Sequence, residues 1–150
     1  MNIDSLSGAA LVAALAITAT VGIATAFVTD RAEGDSRYRV VFHVNTGGTE
    51  YWESALGNVA NLREELGAAD TEVEVVAHGK GLDLVMATNE SLAEQMAELA
   101  EQGVVFAACE NTMKKRDVTK EQLLPFVTTV GSGVAQLVRR QEEGWAYVKP

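Results

Sequence analysis

Cys109 is the single cysteine of this 150-residue chain, and its position suits a thiol that takes part in chemistry. It follows the apolar run 104–108 and precedes Asn111 and Thr112, where a polar turn or short helix is expected to begin. A helix N-terminus lowers the pKa of a nearby cysteine, and the thiolate is the nucleophilic form. Packing is the alternative role, because most free cysteines behave as small buried hydrophobes.

The two histidines of the chain also follow strand-like segments. His43 comes late in the β-rich run 40–44, and His78 comes directly after the run 72–77. The apolar run before Cys109 is typical of a strand buried on both faces. Because the carboxyl ends of parallel strands meet at one edge of a sheet, His43, His78 and Cys109 are expected to share that edge.

This arrangement gives each polar residue a candidate role. For a nucleophilic Cys109, His78 is a candidate proton acceptor, supported by His43. Backbone amides near Asn111 and Thr112 would stabilise the negative charge that develops on sulfur. The alternative is structural: Asn111 and Thr112 cap a turn, and both histidines are satisfied core or cap residues.

A metal site is a second chemical hypothesis. One thiolate and two imidazoles, from Cys109, His43 and His78, suffice as protein ligands for zinc or copper. The favoured thiol chemistry at Cys109 requires neither a metal nor any other cofactor. The turn Thr46-Gly47-Gly48-Thr49 before a predicted helix is a weaker candidate, as a seat for an anion.

Three segments of the chain are similar to a known family. They are 76–82, 106–113 and 133–150, and they include the tetrapeptide Cys109-Glu110-Asn111-Thr112 and the terminal Tyr147-Val148-Lys149-Pro150. From about Tyr38 to Pro150 the sequence resembles the DsrE/DsrF-like family. The resemblance implies a three-layer α/β/α domain with a mainly parallel sheet, assembled as a trimer or hexamer. It also implies that Cys109 carries sulfur as a persulfide in a relay.

The pattern along the chain predicts the same class of fold. Apolar runs alternate with helical periodicity, which indicates a mainly parallel sheet with helices on both faces. The last helix is predicted to start at Ser132 and to turn Val134, Leu137 and Val138 inward. Strands are predicted near 40–44, 72–77, 104–108, 126–130 and 145–148, and helix starts at Thr49, at the Ser91/Glu94 and Thr119/Gln122 capping boxes and at Ser132.

Composition narrows the classes of function. The net charge of −9 argues against a nucleic-acid partner, since such proteins need basic patches. A single cysteine excludes an internal disulfide. The chain divides into a hydrophobic segment at 1–29, a polar linker at 30–37 and one domain at 38–150.

The first segment has three interpretations. Residues 5–29 carry no charge and exceed the roughly 20 apolar residues that span a bilayer, which favours a membrane anchor. Ala24-Thr25-Ala26 resembles a signal-peptidase site, but Asp4 and the absence of Lys or Arg before the apolar run oppose a cleaved signal. A buried soluble helix is the third interpretation, and the length disfavours it.

Further features of this segment bear on partners and orientation. Small residues recur at every fourth position, a pattern that lets membrane helices pack closely: Ala10, Ala14, Thr18, Gly22 and Ala26. Arg31, Arg37 and Arg39 follow the segment and favour placement of the domain on the cytoplasmic side of the membrane, whereas a processed signal would place it outside.

Two functions therefore compete with the metal hypothesis. The favoured one is a sulfur carrier that uses Cys109, with a sulfur-relay or membrane-protein partner. It requires a thiol that a partner can reach, so it predicts an exposed Cys109. The other is a non-catalytic oligomeric module that holds a partner at a membrane, with Cys109 as a packing residue.

Overall fold

The computed structural model describes residues 37–150, which fold around a five-stranded parallel sheet. The strand order is β4-β3-β2-β1-β5, and every neighbouring pair is parallel. The strands are β1 (Tyr38–Val44), β2 (Thr71–Ala77), β3 (Val105–Cys109), β4 (Thr128–Val130) and β5 (Ala146–Val148). The α-helices are α1 (Thr49–Leu66), α2 (Glu90–Glu101), α3 (Glu110–Lys115) and α4 (Gly133–Glu142). The 3-10 helices are Ala68–Asp70, Gly79–Val85 and Lys120–Gln122. The predicted α/β class with a parallel sheet is confirmed.

The central strands are apolar because both faces of the sheet are covered. Six of the seven residues of β2 are buried, and β2 lies between β1 and β3. On one face, called here the α1 face, side chains of α1 and α2 join the strands in one large cluster. That cluster includes Phe42, Leu56, Val75, Met96 and Phe106.

The opposite face, called here the α4 face, is covered more thinly. Its buried cluster contains Val41, Val76 and Ala107 from the strands together with Leu137 of α4 and Trp145. Because side chains alternate along a strand, His43, His78 and Cys109 also belong to this face. The short helix α4 therefore covers the side of the sheet that carries the candidate site.

A buried carboxylate attaches α4 to the sheet. Glu74 of β2 is almost fully buried on the α4 face, where it pairs with Arg140 and accepts a 2.9 Å hydrogen bond from Gln136. The Arg140 guanidinium also lies over the Trp145 ring, 4.3 Å from its centroid. A buried charge requires such partners, so α4 must sit with its Gln136/Arg140 side over β2.

The prediction of which side chains of α4 are buried was partly wrong. Leu137 is buried as expected, but Val134 and Val138 are 58% and 52% exposed. The helix is oriented by Gly133, Leu137 and the Glu74–Arg140 pair, which turns the Val134/Val138 side outward. These valines would need a further partner to be buried.

Helix starts were predicted with mixed success. Ser132 caps α4 by accepting the Ala135 N–H, and the Thr119/Gln122 capping box is present. Thr49 and Ser91 are not caps, because α1 begins one residue and α2 two residues earlier than the side-chain pattern indicated. Residues 126–127, predicted as strand, lie in a turn before β4.

The predicted hydrophobic segment 1–29 and nearly all of the linker 30–37 lie outside the described residues. Within residues 37–150, no helix is long and apolar enough to cross a bilayer.

Candidate functional site

Cys109 lies where the sequence placed it, at the carboxyl end of a buried strand. It is the last residue of β3 and the residue before the first turn of α3. Its Sγ accepts a hydrogen bond from the backbone N–H of Gly133, with 3.2 Å between sulfur and nitrogen. Gly133 is the first residue of α4. The sulfur thus lies beside the amino-terminal ends of two helices.

A glycine at position 133 makes this contact feasible. A Cβ there would lie 3.1 Å from Cβ of His78 and 3.2 Å from Cβ of Cys109. Both distances are shorter than ordinary carbon–carbon contacts. Because no side chain intervenes, the first turn of α4 approaches the sheet between His78 and Cys109 and offers its N–H to the sulfur.

These surroundings favour the thiolate. Burial raises the pKa of Cys109, but the Gly133 N–H, the Thr112 side chain and the amides of Thr112 and Asn111 together lower the pKa below its ordinary value. Hydrogen bonds to the charged form stabilise it, which explains the net direction. Asn111 and Thr112 therefore occupy the position predicted for them, at the start of α3.

Thr112 also fixes the loop after β2. Its Oγ1 accepts the backbone N–H of Gly79 at 3.0 Å. A hydroxyl can accept one hydrogen bond and donate its own, so this contact leaves the Thr112 proton available to the sulfur. Thr112 thereby couples Cys109 to the His78–Gly79 loop.

The two histidine side chains are hydrogen-bonded to each other. Nε2 of His43 and Nε2 of His78 are 2.6 Å apart, and the rings stack with centroids 4.7 Å apart. On its other side, His43 Nδ1 is 2.5 Å from the hydroxyl of Tyr147 on β5. The three side chains form a hydrogen-bonded chain from the edge strand to the neighbour of Cys109.

Both histidines favour the neutral form. Burial, the neighbouring His78 and the Lys149 charge lower the pKa of His43 to about 4. Burial and Lys149 also lower the pKa of His78. At neutral pH the pair therefore adds no positive charge to the site, although it can pass a proton between its two Nε2 atoms.

The predicted role of His78 requires revision. Its Nε2 is hydrogen-bonded to Nε2 of His43 rather than to Cys109. The sulfur instead accepts a hydrogen bond from the Gly133 N–H. This donor lowers the pKa of the thiol because it stabilises the thiolate. His78 lies next to Cys109, with Gly133 in contact with both.

The predicted metal site is not formed. The three side chains share one edge of the sheet, but in residues 37–150 no group of three His, Cys, Asp or Glu residues could hold a metal ion. A metal bound by two imidazoles needs about 2.0–2.1 Å to each nitrogen. The two Nε2 atoms are 2.6 Å apart and bonded to each other, which leaves no place for an ion between them.

The predicted exposure of Cys109 was also wrong for the single chain. The residue is 5% exposed, because the first turns of α3 and α4 close over it. Sequence reasoning further missed Gly133 and Tyr147 as site residues. Tyr147 and Lys149 were visible only as part of the similarity at the chain end, and Gly133 only as a helix start.

Fold and site together define a small parallel α/β domain with a thiol at the carboxyl edge of its sheet. The profile of the DsrE/DsrF-like family matches residues 38–150, and the chain belongs to this family. The resemblance found in the sequence is thereby confirmed over the same residues.

Solved structures agree with this assignment. A protein of unknown function from Methanobacterium thermoautotrophicum, MTH1491, is 39% identical with a TM-score of 0.72, and the match covers 75% of this chain and 99% of that one. The ychN protein of E. coli is 15% identical with a TM-score of 0.61, over 75% and 99% of the two chains. BT1422 of Bacteroides thetaiotaomicron, of unknown function, is 13% identical with a TM-score of 0.61, over 78% and 98%. The last two show a shared fold alone. No curated protein gave a match to the chain.

Proposed function

We propose that this domain is a sulfur carrier that holds sulfur as a persulfide on Cys109. The observation that supports the proposal most is the hydrogen bond from the Gly133 N–H to Sγ. Together with Thr112 and Asn111 it lowers the pKa of the thiol, so that more of it is the nucleophilic thiolate than in an ordinary cysteine.

The reaction follows from thiolate chemistry. The Cys109 thiolate attacks a sulfur atom of a donor persulfide, a new S–S bond forms at Cys109, and the donor thiolate leaves with the electrons of the broken bond. The amide donors at Gly133 and Asn111 would stabilise negative charge at the site. The neutral His43–His78 pair lies beside the sulfur to take up or return a proton.

Burial of the thiol makes movement part of the proposal. Since Cys109 is 5% exposed, a donor reaches Sγ only when the segment around Gly133 or the Gly79–Thr112 contact opens. The segment Gly131-Ser132-Gly133 joins β4 to α4 and contains two glycines, which suits such opening. Local opening of this kind occurs well below the free energy of global unfolding.

The test is alkylation of the folded full-length chain with iodoacetamide, followed by intact mass. The proposal predicts one added carbamidomethyl group on native protein and none on Cys109→Ser. The rate should rise with pH through a midpoint below that of ordinary cysteine, because the Gly133 and Thr112 donors stabilise the thiolate. If only urea-unfolded chain reacts, the sulfur-carrier function is refuted.

A second function, oligomeric assembly, is favoured by a different observation. Val134 and Val138 stand one turn apart on the outer side of α4, and both are more than half exposed. Val105 and Tyr147 add exposed apolar surface on the same face of the sheet. We propose that copies of the domain pack through this face, in line with the trimer or hexamer that the family resemblance implies.

Light scattering of the full-length chain tests the assembly. The unmodified chain should have a mass that is a multiple of 16.0 kDa, and Val134→Asp with Val138→Asp should shift it toward the monomer. Ser54→Asp with Asn58→Asp is the matched control, since both residues are exposed one turn apart on α1. A monomeric unmodified chain, or equal dissociation by both pairs, contradicts the proposal.

A further inference from the structure

An open cavity of about 680 Å³ lies at the carboxyl edge of the sheet, beside the thiol site. Its lining contains His78 and Thr112 of that site, together with residues from the start of α1, from the 3-10 helix Gly79–Val85 and from the end of α3. The remaining lining residues are Gly47, Gly48, Trp52, Gly79, Lys80, Asp83, Lys115 and Arg116.

The cavity is basic, although the whole chain carries a net charge of −9. Lys80, Lys115 and Arg116 face a single lining carboxylate, Asp83. Asp83 forms an ion pair with Arg116, 2.5 Å between the atoms. In the part of the chain that the structure describes, Lys80 and Lys115 form no ion pair. Two cations are therefore left to attract an anion.

Part of the cavity wall beside Lys80 is backbone. Lys80 packs against the turn before α1, since a Cβ on Gly47 would lie 3.2 Å from Cβ of Lys80. Trp52 holds that turn by donating its indole N–H to the Thr46 carbonyl at 2.9 Å. Gly47 and Gly48 thus present bare backbone at the start of α1, a helix of 18 residues whose first turn has no side-chain cap.

The cavity also adjoins the reactive sulfur. Thr112, which lines it, contributes to stabilising the thiolate of Cys109. His78, also in the lining, lies next to Gly133, as does Cys109. Cys109 itself does not line the cavity, so an anion held here reaches the sulfur when the Gly79–Thr112 contact between them opens.

We propose that this cavity binds a small anionic sulfur donor of the thiosulfate type, with its oxyanion between Lys80 and Lys115. The proposal rests on the sulfur-carrier function and adds the substrate class. The Cys109 thiolate attacks the terminal sulfur of thiosulfate and forms a new S–S bond. The S–S bond of thiosulfate breaks, and sulfite leaves with its electron pair. Charge and oxidation states balance between reactants and products, so the step needs no further oxidant or reductant.

Binding is tested separately from transfer, in a full-length chain carrying Cys109→Ser. Isotope-labelled protein is titrated with sodium thiosulfate, and with sulfate as an analogue without a transferable sulfur, at constant ionic strength. The proposal predicts saturable shifts of the Gly47, Gly48 and Gly79 amides. Lys80→Gln with Lys115→Gln should weaken binding by about tenfold or more, because two charge-assisted contacts are lost.

The matched control is Lys114→Gln with Lys120→Gln, which removes the same charge at exposed positions outside the cavity. It should change the affinity by less than about twofold, since contacts between exposed charges are screened. Absence of saturable shifts at the three glycines, or equal weakening by both double variants, overturns the anion site.

Transfer is then measured on the chain with Cys109 intact, by mass gain from thiosulfate and from inorganic polysulfide. Loading from thiosulfate that is lost in Lys80→Gln with Lys115→Gln supports the proposal. Loading from polysulfide alone, with thiosulfate bound but unreactive, overturns the donor class and leaves the sulfur carrier intact. Loading from neither donor refutes the sulfur carrier itself.

Discussion

At the scale of single residues, the site is defined by the hydrogen bonds that the sulfur of Cys109 accepts. Its donor is a main-chain N–H at the first residue of α4, rather than a cationic side chain. A main-chain donor keeps its position as long as the helix stays in place. The thiolate is therefore stabilised by main-chain groups that the fold holds in place, and the neutral histidines beside it add no positive charge.

The Thr112 hydroxyl is the side-chain contribution that can be removed. In Thr112→Val the pKa of Cys109 should rise, so the midpoint of the pH dependence of alkylation should move upward, because a hydrogen bond to a charged acceptor contributes on the order of 1.5 kcal/mol. The midpoint is the readout because the variant also removes the Gly79–Thr112 contact and can change access to the sulfur. Thr128→Val is the matched control, since its hydroxyl donates to the Phe106 carbonyl instead. Equal pH midpoints in wild type and Thr112→Val would show that the Thr112 hydroxyl does not stabilise the thiolate.

His43 makes stability depend on pH. Its pKa is near 6.5 in the unfolded chain and about 4 in the folded chain, so the unfolded chain binds the proton more readily. The contribution of His43 is fully present above pH 6.5 and is lost as the pH falls from there toward 4. After allowance for solvent screening, this loss amounts to on the order of 1 kcal/mol.

Urea denaturation at pH 7 and pH 4.5 measures that loss. His43→Gln cannot take up the proton, so its free energy of unfolding should fall less than that of the wild type over this interval. Carboxylates titrate in both chains and cancel in the comparison. Equal losses in the two chains would show that His43 keeps its ordinary pKa.

At the scale of elements, close backbone approaches position the site. Gly81, in the 3-10 helix Gly79–Val85, lies against the end of β1. A Cβ on Gly81 would lie 2.2 Å from the Val44 carbonyl oxygen. That helix carries Lys80 and directly follows His78. A side chain at position 81 would displace the loop that joins the histidine pair to the basic cavity.

Glycine substitutions in two elements are expected to have opposite effects on stability. Gly81→Ala should destabilise the fold by about 3 kcal/mol or more, since backbone must move to relieve the overlap. Gly57→Ala, within α1 and with nothing within 4 Å of its Cβ, should stabilise the fold by up to about 1 kcal/mol. Thermal and urea unfolding measure both variants. A Gly81→Ala chain as stable as the wild type would show that the 3-10 helix does not pack against β1.

Elements were predictable from sequence to the extent that they depend on local pattern. Apolar runs located the strands, and their alternation with helices gave a parallel sheet whose carboxyl edge gathers His43, His78 and Cys109. The face of α4 was not predictable, because the Glu74–Arg140 pair that orients it joins residues 66 positions apart. The His43–Tyr147 contact spans 104 positions, and no local pattern encodes it.

At the scale of the whole molecule, charge and apolar surface are unevenly distributed. The chain is acidic, yet its cavity beside the thiol is lined by Lys80, Lys115 and Arg116. The α4 face carries exposed valines, and the α1 face is covered by two helices. An anionic donor at the cavity and a second copy of the chain on the α4 face would each match the surface proposed for it.

Membrane anchoring by the amino-terminal segment is a separate proposal that rests on the sequence alone. An uncharged stretch at 5–29 is long enough to anchor the domain to a membrane, and cleavage after Ala26 would release it. The two outcomes differ in the mass of the mature chain, which the final measurement records together with the state of Cys109.

Sulfur carriage by Cys109 is tested by the intact mass of the protein as purified without reductant, before and after reduction. A sulfur carrier should contain a fraction with the mass of one additional sulfur, removed by reductant and absent from Cys109→Ser. Incubation with polysulfide should increase that fraction. A chain that never gains sulfur on Cys109, with or without a donor, would contradict the sulfur carrier and leave the assembly function as the account of this fold.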